Sequence, residues 1–240
     1  MINKVTITGV DDSIPPEALF ELSQEFPFVE WGLLYSKKLG GKAVPRFPSF
    51  FWLTMYGILC EKRTDMSVKT SLHMCGSAVK ETFKGFGPAK ELVKSYPFIE
   101  RIQLNTHGEY HQYNMDFCRF LPSEIEYIFQ YDGVNTQQLN HAIDEGLTCS
   151  ALFDLSHGDG VLPEHWPELL SNVNYGYAGG LGPHNLEEQI GLIEQRAGDN
   201  TVWIDMETHV RTNEKFDLVK VRQCLEIAQL HIEKRILTAK

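Results

Sequence analysis

Eight short apolar runs, each followed by a stretch with helical character, constrain the fold of this 240-residue chain. The runs are rich in β-branched and aromatic residues, as expected for strands buried on both faces of a parallel sheet. They span residues 5–9, 28–35, 67–75, 99–104, 124–131, 150–154, 175–178 and 202–206. Eight such alternations predict an α/β protein, a TIM (β/α)8 barrel formed as a single domain by residues 1–240. A doubly wound open sheet is the competing fold.

Helices are predicted between these strands and after the last one. Their ranges are residues 15–25, 50–60, 77–84, 89–95, 134–145, 185–196 and 218–234, with a short helix near residues 165–170. The polar and aromatic segment 106–121 follows no clear period and is left without an assignment. Nothing in the sequence indicates a linker or a low-complexity segment that would divide the chain.

Composition excludes several classes of partner. The formal net charge is −10 and no run of about 18 apolar residues occurs, so we expect no nucleic-acid partner, no membrane partner and no membrane span. The five cysteines form no CxxC pair, which argues against a disulfide framework or a zinc ribbon. The strand pattern starts too early for a signal peptide, so we expect a cytoplasmic protein. We expect no cofactor, and the sequence does not predict an oligomeric state.

Polar residues collect where the predicted strands end. The active site of a (β/α)8 barrel lies at the carboxyl ends of its strands, and polar side chains in a buried sheet are costly unless they are paired. Several of them at one rim therefore predict a pocket for a small molecule. These residues are Thr8, His73, Cys75, Gln103, Asn105, Gln130, Asp154, Gly179, Gly180, Asp205 and Glu207.

The turn after the seventh strand contains Gly179, Gly180 and Gly182 and leads into a helix. Backbone N–H groups without neighbouring Cβ atoms, set at a helix N-terminus, form an anion site. A phosphate-bearing ligand is therefore one expectation, and a glycine turn that serves only to reverse the chain is the alternative. Arg46, after a glycine-rich loop, is predicted to clamp a carboxylate, or else to lie on the surface.

His73 and Cys75 lie two residues apart and therefore on the same face of the third strand. A cysteine beside a histidine at a barrel mouth is a candidate thiolate nucleophile or general base. The alternative is a small buried cysteine and a hydrogen-bonded interior histidine. Zinc binding by these two residues with His107 and Asp154 has suitable residue types but lacks a close ligand pair, so we predict no metal site.

Two carboxyl groups share the parity of the eighth strand, Asp205 and Glu207, so they face the same side. Both are candidate ligand contacts, and a structural partner for Arg46 or Arg211 is the alternative. Gln103 and Asn105 are neutral hydrogen-bonding groups that suit a sugar or an amide, although they also suit the interior layers of a barrel.

The order of the strand-end motifs resembles a known family. Residues 178–185 read Ala-Gly-Gly-Leu-Gly-Pro-His-Asn, close to that family's Ser-Gly-Gly-Leu-x-Pro-Glu-Asn. Weaker matches, in chain order, are residues 5–9, 31–36 with 45–47, 102–108, 152–154 (Leu-Phe-Asp) and 204–210. On these motifs the chain resembles phosphoribosylanthranilate isomerase, the barrel enzyme of tryptophan biosynthesis. The resemblance covers nearly the whole chain and implies the barrel fold.

The resemblance also implies an Amadori rearrangement, in which an acid opens the ribose ring and a base removes the proton from C2. It places Asp154 in the position of the acid. Thr8 stands where the family has its catalytic cysteine, and a threonine hydroxyl is a weak base near pH 7 without an activating partner. Glu207 and His209 replace the small residues of the family's eighth-strand loop, where the phosphate binds.

We therefore predict an isomerase-like enzyme that performs acid/base chemistry on a small polar or phosphorylated sugar-linked ligand. Its predicted catalytic residues are Asp154, Cys75 and Thr8. Two alternatives stay open. One is a barrel of the same ancestry with a different reaction, such as an aldolase-like or hydrolytic step. The other is a small-molecule-binding protein without catalysis.

Overall fold

A closed barrel of eight parallel strands forms the centre of the computed structural model. The structure describes residues 1–63, 65–66, 68–84, 87–105, 123–132, 136–156, 158–170 and 173–238. Each strand pairs with the next along the chain, and β8 closes the barrel against β1. The strands are β1 (Ile2–Thr8), β2 (Val29–Ser36), β3 (Lys69–Cys75), β4 (Arg101–Leu104), β5 (Glu126–Tyr131), β6 (Cys149–Phe153), β7 (Asn174–Ala178) and β8 (Val202–Met206). The predicted TIM barrel is thereby confirmed, and the open sheet is excluded.

Helices cover the outside of the barrel. They are α1 (Glu17–Glu25), α2 (Phe50–Lys62), α3 (Ser77–Phe83), α4 (Pro88–Ser95), α5 (Thr136–Asp144), α6 (Leu186–Ala197) and α7 (Leu218–Thr238). After β8, a 3₁₀ turn (Thr208–Val210) leads into a small antiparallel hairpin of β9 (Arg211–Thr212) and β10 (Lys215–Phe216). None of the helices that the structure describes is long and apolar enough to cross a membrane. The unassigned segment 106–121 lies outside the described residues.

The short helix predicted near residues 165–170 is wrong, because that segment is not helical. Pro167 disfavours the α conformation at Trp166, the residue before it. Trp166 instead packs edge-on against Phe153 and Tyr177 and donates its indole N–H to Gln189 Oε1 at 3.0 Å. The apolar residues that suggested a helix therefore lie in an irregular segment, which the contacts of the buried Trp166 fix to the barrel.

Charged groups fill the amino-terminal half of the barrel interior. The Arg101 guanidinium donates to Glu30 Oε1 at 2.9 Å and lies 3.1 Å from Glu126 Oε2. It also stacks on the Trp203 ring, with 4.4 Å between the guanidinium carbon and the ring centroid. Burial alone would raise the pKa of Glu30, but Arg101 and Lys4 hold it below its usual value. Glu30 is therefore an ionised, fully paired carboxylate, and the opposite half of the barrel is left for the site.

Gly176 on β7 provides the room for Trp203. A Cβ atom at this position would lie 2.2 Å from the indole ring, and the ring itself is held beneath Arg101. We expect Gly176→Ala to lower the free energy of unfolding by about 1–3 kcal/mol through overpacking, measured by urea denaturation. The matched control is Gly191→Ala in α6, where an added Cβ meets nothing within 4 Å. That variant should gain about 0.5–1 kcal/mol, because alanine is the better helix former. An unchanged stability of Gly176→Ala would contradict this packing.

Candidate functional site

A cavity of about 310 Å³ opens at the carboxyl ends of the barrel strands. Twelve of the residues named from the sequence line it, and they come from all eight strands or the loops that follow them. These are Thr8, Arg46, His73, Cys75, Gln103, Asn105, Gln130, Asp154, Gly179, Gly180, Asp205 and Glu207. The parallel, closed sheet explains this convergence, because it brings all strand ends to one rim. Gly182 does not line the cavity.

Asp154 follows β6 directly and is held by three donors. Its Oδ1 accepts hydrogen bonds from the Ser156 backbone N–H at 2.8 Å and from the Ser156 hydroxyl at 2.7 Å. Its Oδ2 accepts from Gln130 Nε2 at 3.1 Å. Both carboxyl oxygens therefore act as hydrogen-bond acceptors at the edge of the cavity, in an orientation that β5 and the β6 loop determine.

Asp205, on β8, lies deeper in the cavity and is only 6% exposed. Burial raises its pKa well above the usual value, and the negative charges of Glu207 and Asp154 add to this. The hydrogen bond from Thr8 Oγ1 to Asp205 Oδ1, at 2.7 Å, opposes the shift but does not outweigh it. Its surroundings therefore favour the protonated, neutral form of the Asp205 carboxyl group. The Thr8 hydroxyl donates its hydrogen bond to Asp205, so Thr8 positions this carboxyl group.

His73 lies beside Asp205 inside the barrel and is 1% exposed. Its Nε2 shares a hydrogen bond with Ser71 Oγ at 2.9 Å, and its Nδ1 lies 4.0 Å from Asp205 Oδ2. Burial lowers the pKa of His73 to about 3, so the imidazole is neutral. This is the hydrogen-bonded interior histidine that the sequence left open as an alternative.

Cys75 lines the cavity as predicted, but it does not have the electrostatics of a nucleophile. Burial raises the pKa of its thiol to about 12, and the charge of Glu207 acts in the same direction. The thiol donates to the His73 carbonyl at 3.7 Å and accepts from Asn105 Nδ2 at 3.3 Å. The prediction of a reactive thiolate is corrected here, because a nucleophilic cysteine needs a lowered pKa.

Arg46 and Glu207 form an ion pair across the mouth of the cavity. Arg46 Nη1 lies 2.8 Å from Glu207 Oε1, and both side chains are about three-quarters buried. Burial raises the pKa of Glu207, although the charge of Arg46 opposes the shift. The Arg46 backbone has a φ of 74°, a left-handed conformation that is uncommon outside glycine. The guanidinium predicted to clamp a ligand carboxylate is therefore already paired with a carboxylate of the protein.

The glycine turn is covered by the chain itself. A Cβ atom at Gly180 would lie 2.4 Å from the backbone nitrogen of Leu162, and one at Gly179 would lie 3.1 Å from the Val161 carbonyl. The loop after β6 therefore sits directly against the two glycines. The close approach explains why these positions are glycine, whether or not an anion binds at the turn.

Gly182 is corrected as a binding residue. Its N–H donates to Asn185 Oδ1 at 3.0 Å, and Asn185 Nδ2 returns a hydrogen bond to the Gly180 carbonyl at 2.9 Å. A Cβ atom at Gly182 would lie 2.5 Å from the Cβ of His209. The His209 ring in turn hydrogen-bonds to the Gly160 carbonyl at 2.9 Å. The predicted anion donor is thus satisfied within the turn, and His209 occupies the adjoining space.

Sequence reasoning missed Ser156 and Asp11. Asp11 accepts a hydrogen bond from the Arg46 backbone N–H at 2.7 Å and also binds the Arg211 guanidinium. An Asx turn, with the Ser13 N–H 2.9 Å from Asp11 Oδ1, is the local signal that marks this residue. Its partners Arg46 and Arg211 lie 35 and 200 positions away along the chain, and no local sequence pattern marks these two contacts.

Among the described residues no cluster of three or more His, Cys, Asp or Glu side chains is arranged to hold a metal ion. Of the four residues considered for zinc, His107 lies outside that part of the chain.

Comparisons with known proteins support the architecture. No protein-family model and no curated protein matches the chain. The structure of phosphoribosyl anthranilate isomerase from Thermus thermophilus matches with a TM-score of 0.59 and 16% identity, covering 94% of this chain and 98% of that one. The enzyme of the same name from Thermotoga maritima matches with a TM-score of 0.56 and 18% identity, covering 95% and 99%. The Pyrococcus furiosus structure gives 0.54 and 14%, covering 94% and 98%. At these identities, the likeness establishes that this chain shares the barrel fold of phosphoribosyl anthranilate isomerase.

Proposed function

We propose that the protein is an isomerase that moves a proton between neighbouring positions of a small polar ligand bound at the carboxyl end of the barrel. One observation carries the proposal: two carboxyl groups in different environments line the same cavity. Asp205 is buried, which raises its pKa and favours the protonated form, whereas Asp154 accepts hydrogen bonds through both oxygens. Environments that separate two carboxyl groups in this way are typical of an acid and base pair.

Asp205 is the proton donor in this proposal. Its Oδ1 accepts from Thr8, which leaves Oδ2 to carry the acidic proton. A neutral carboxylic acid in a buried cavity can protonate a ring oxygen and so open a sugar ring. Thr8 is then a positioning residue, and the weakness of its hydroxyl as a base no longer matters.

Asp154 is the base that removes the proton from the carbon next to the anomeric centre. This reverses the assignment that the family resemblance implies, in which Asp154 is the acid. The electron pair of the broken ring C–O bond stays on the ring oxygen, which Asp205 protonates, while the anomeric heteroatom forms a double bond to C1. When Asp154 takes the C2 proton, the C–H electron pair forms the C1–C2 double bond and the electrons of the C1–heteroatom double bond return to the heteroatom, so one proton is given and one is taken. The rearrangement therefore needs no oxidant and no reductant.

The neutral Cys75 and the paired Arg46 support this choice over the alternative reactions. A hydrolytic step through a cysteine needs a thiolate, and burial disfavours that form here. The isomerase named in the similar structures has the same barrel fold, and this likeness favours proton transfer as the reaction class.

Solvent exchange tests the catalytic assignment. Wild type and Asp154→Asn are incubated in D2O with ribosylanthranilate, with its 5-phosphate and with free aldoses, and deuterium gain at carbon is followed by mass spectrometry. We expect exchange in the wild type and a loss of about 10²- to 10⁴-fold in the variant, the usual contribution of a general base. Asp199→Asn, an exposed residue after α6, is the control with unchanged rate. Absence of exchange with every compound would favour a binding protein, and an undiminished rate in Asp154→Asn would remove the base from the proposal.

The pH dependence of stability tests the protonation of Asp205. Its native pKa lies above its unfolded value, so between those two values the native state holds the extra proton and stability falls as pH rises. Asn cannot ionise and can still accept from Thr8. We therefore expect Asp205→Asn to gain stability relative to the wild type as pH increases from about 4 to 7, by about 1.4 kcal/mol for each unit of pKa shift. Urea unfolding at several pH values measures this, with Asp199→Asn as the control. A constant difference across that range would mean that Asp205 is not perturbed.

A further inference from the structure

A short chain of hydrogen bonds determines which atom Gln103 presents to the cavity. The Cys75 thiol gives its proton to the His73 carbonyl, so its sulfur acts as an acceptor for Asn105 Nδ2. Asn105 must then turn Oδ1 towards Gln103, where it accepts from Gln103 Nε2 at 2.9 Å. Each amide orientation follows from the one before it. Gln103 Oε1 is thereby left as the atom that is free to accept.

Gln103 Oε1 has no hydrogen-bond partner in the described part of the chain. The side chain lines the cavity and is 5% exposed, so the oxygen is shielded from bulk water. Buried acceptors without a partner are rare, and one at the wall of a pocket indicates that a ligand supplies the donor. The expected ligand therefore carries an O–H or N–H group at this point.

The charges around the cavity disfavour an anionic ligand. Among the described lining residues Arg46 is the one Arg or Lys, and Glu207 already pairs with it. The nearby Arg211 is buried against Asp11 and the Gly9 carbonyl. In the glycine turn, the Gly182 N–H is already bonded to Asn185 Oδ1, and the Leu162 backbone lies against Gly180. A phosphate or carboxylate would therefore meet Asp154 and Glu207 without an unpaired cation to balance it.

From these observations we infer that the ligand is an unphosphorylated sugar, whose hydroxyl groups donate to Gln103 Oε1 and to the carboxylate of Asp154. A cavity of about 310 Å³ is at the small end of ligand pockets, which suits a monosaccharide. This inference rests on the proposed function, since it names the substrate class of the same site. It replaces the expectation of a phosphate- or carboxylate-bearing ligand, and it assigns Cys75 as a positioning residue for Gln103.

Nuclear magnetic resonance titrations of ¹⁵N-labelled protein test the inference. D-ribose and D-ribose 5-phosphate are the two probes, and the side-chain amide signals of Gln103 and Asn105 and the Gly180 N–H are followed. We expect saturable shifts of the Gln103 signal with ribose and binding of the phosphate ester at least about tenfold weaker. Equal or tighter binding of the ester, or no saturable shift with ribose, would overturn the proposed ligand class.

Variants separate the acceptor from general disruption. Gln103→Met keeps the size of the side chain but removes the acceptor, so ribose affinity should fall by about tenfold. Gln195→Met, on the exposed side of α6, is the matched control and should bind as the wild type does. Cys75→Ser preserves a donor and an acceptor and should retain ribose affinity, whereas Cys75→Ala lets the amides rotate and should weaken it. Equal behaviour of the two Cys75 variants would exclude the positioning role.

Comparing the titration with the deuterium-exchange assay keeps this inference distinct from the proposed function. Ribose that binds to the wild type without deuterium exchange would contradict the isomerase and leave the ligand class standing. Exchange that occurs only with the phosphate ester would contradict the ligand class and leave the isomerase standing.

Discussion

The buried Arg101 is the contact on which the rest of the barrel interior depends. It ties Glu30 on β2 to Glu126 on β5 and stacks on Trp203 of β8, so one side chain joins strands from around the barrel. Removing one partner from such a cluster leaves a buried charge uncompensated, which is far more costly than exchanging the whole cluster for apolar residues. A slip of one residue in any of these strands would turn its charged side chain out of the barrel. The cluster therefore specifies strand register as well as filling space.

Charged side chains that are paired with one another fill the amino-terminal half of the interior. The carboxyl-terminal half, which contains the cavity, lies directly against this layer. Ser71 and His73 bridge the two halves along β3, and the neutral His73 lies beside Asp205. Burial is the main reason why the pKa of Asp205 is raised, and the negative charges of Glu207, Asp154 and Glu30 act in the same direction. The acid at the base of the cavity is thus a consequence of how the whole barrel is filled. Thr8, in the position where the resembled family has a cysteine, only has to hold this acid in place.

The spacing of the strands was enough to predict the fold. The rule that barrel active sites lie at the carboxyl ends of the strands was enough to name most of the residues that line the cavity. These are local properties of the chain, since side-chain parity follows from the period of a strand. The protonation states of Cys75 and Asp205 could not be predicted from the sequence, because their pKa values depend on burial and on charges distant in sequence. Pairing of Glu207 with Arg46, 161 positions away, was open as an alternative, but no sequence pattern decides between a structural partner and a ligand contact. The helix predicted near residues 165–170 is wrong for the same reason: the position of Trp166 depends on Gln189, which lies 23 residues further on.

The glycine turn shows that packing alone can require a motif without deciding which ligand binds. Gly180 has no room for a Cβ because Leu162 touches it, and Asn185 binds both the Gly182 N–H and the Gly180 carbonyl. Packing and hydrogen bonding within the loop are sufficient to require these residues, whether or not an anion binds. A match in this turn is therefore evidence for the fold, whereas ligand class has to be argued from the groups that remain unpaired. Among the described residues that line the cavity, Gln103 has a buried carbonyl oxygen without a partner, and this oxygen requires a hydrogen-bond donor.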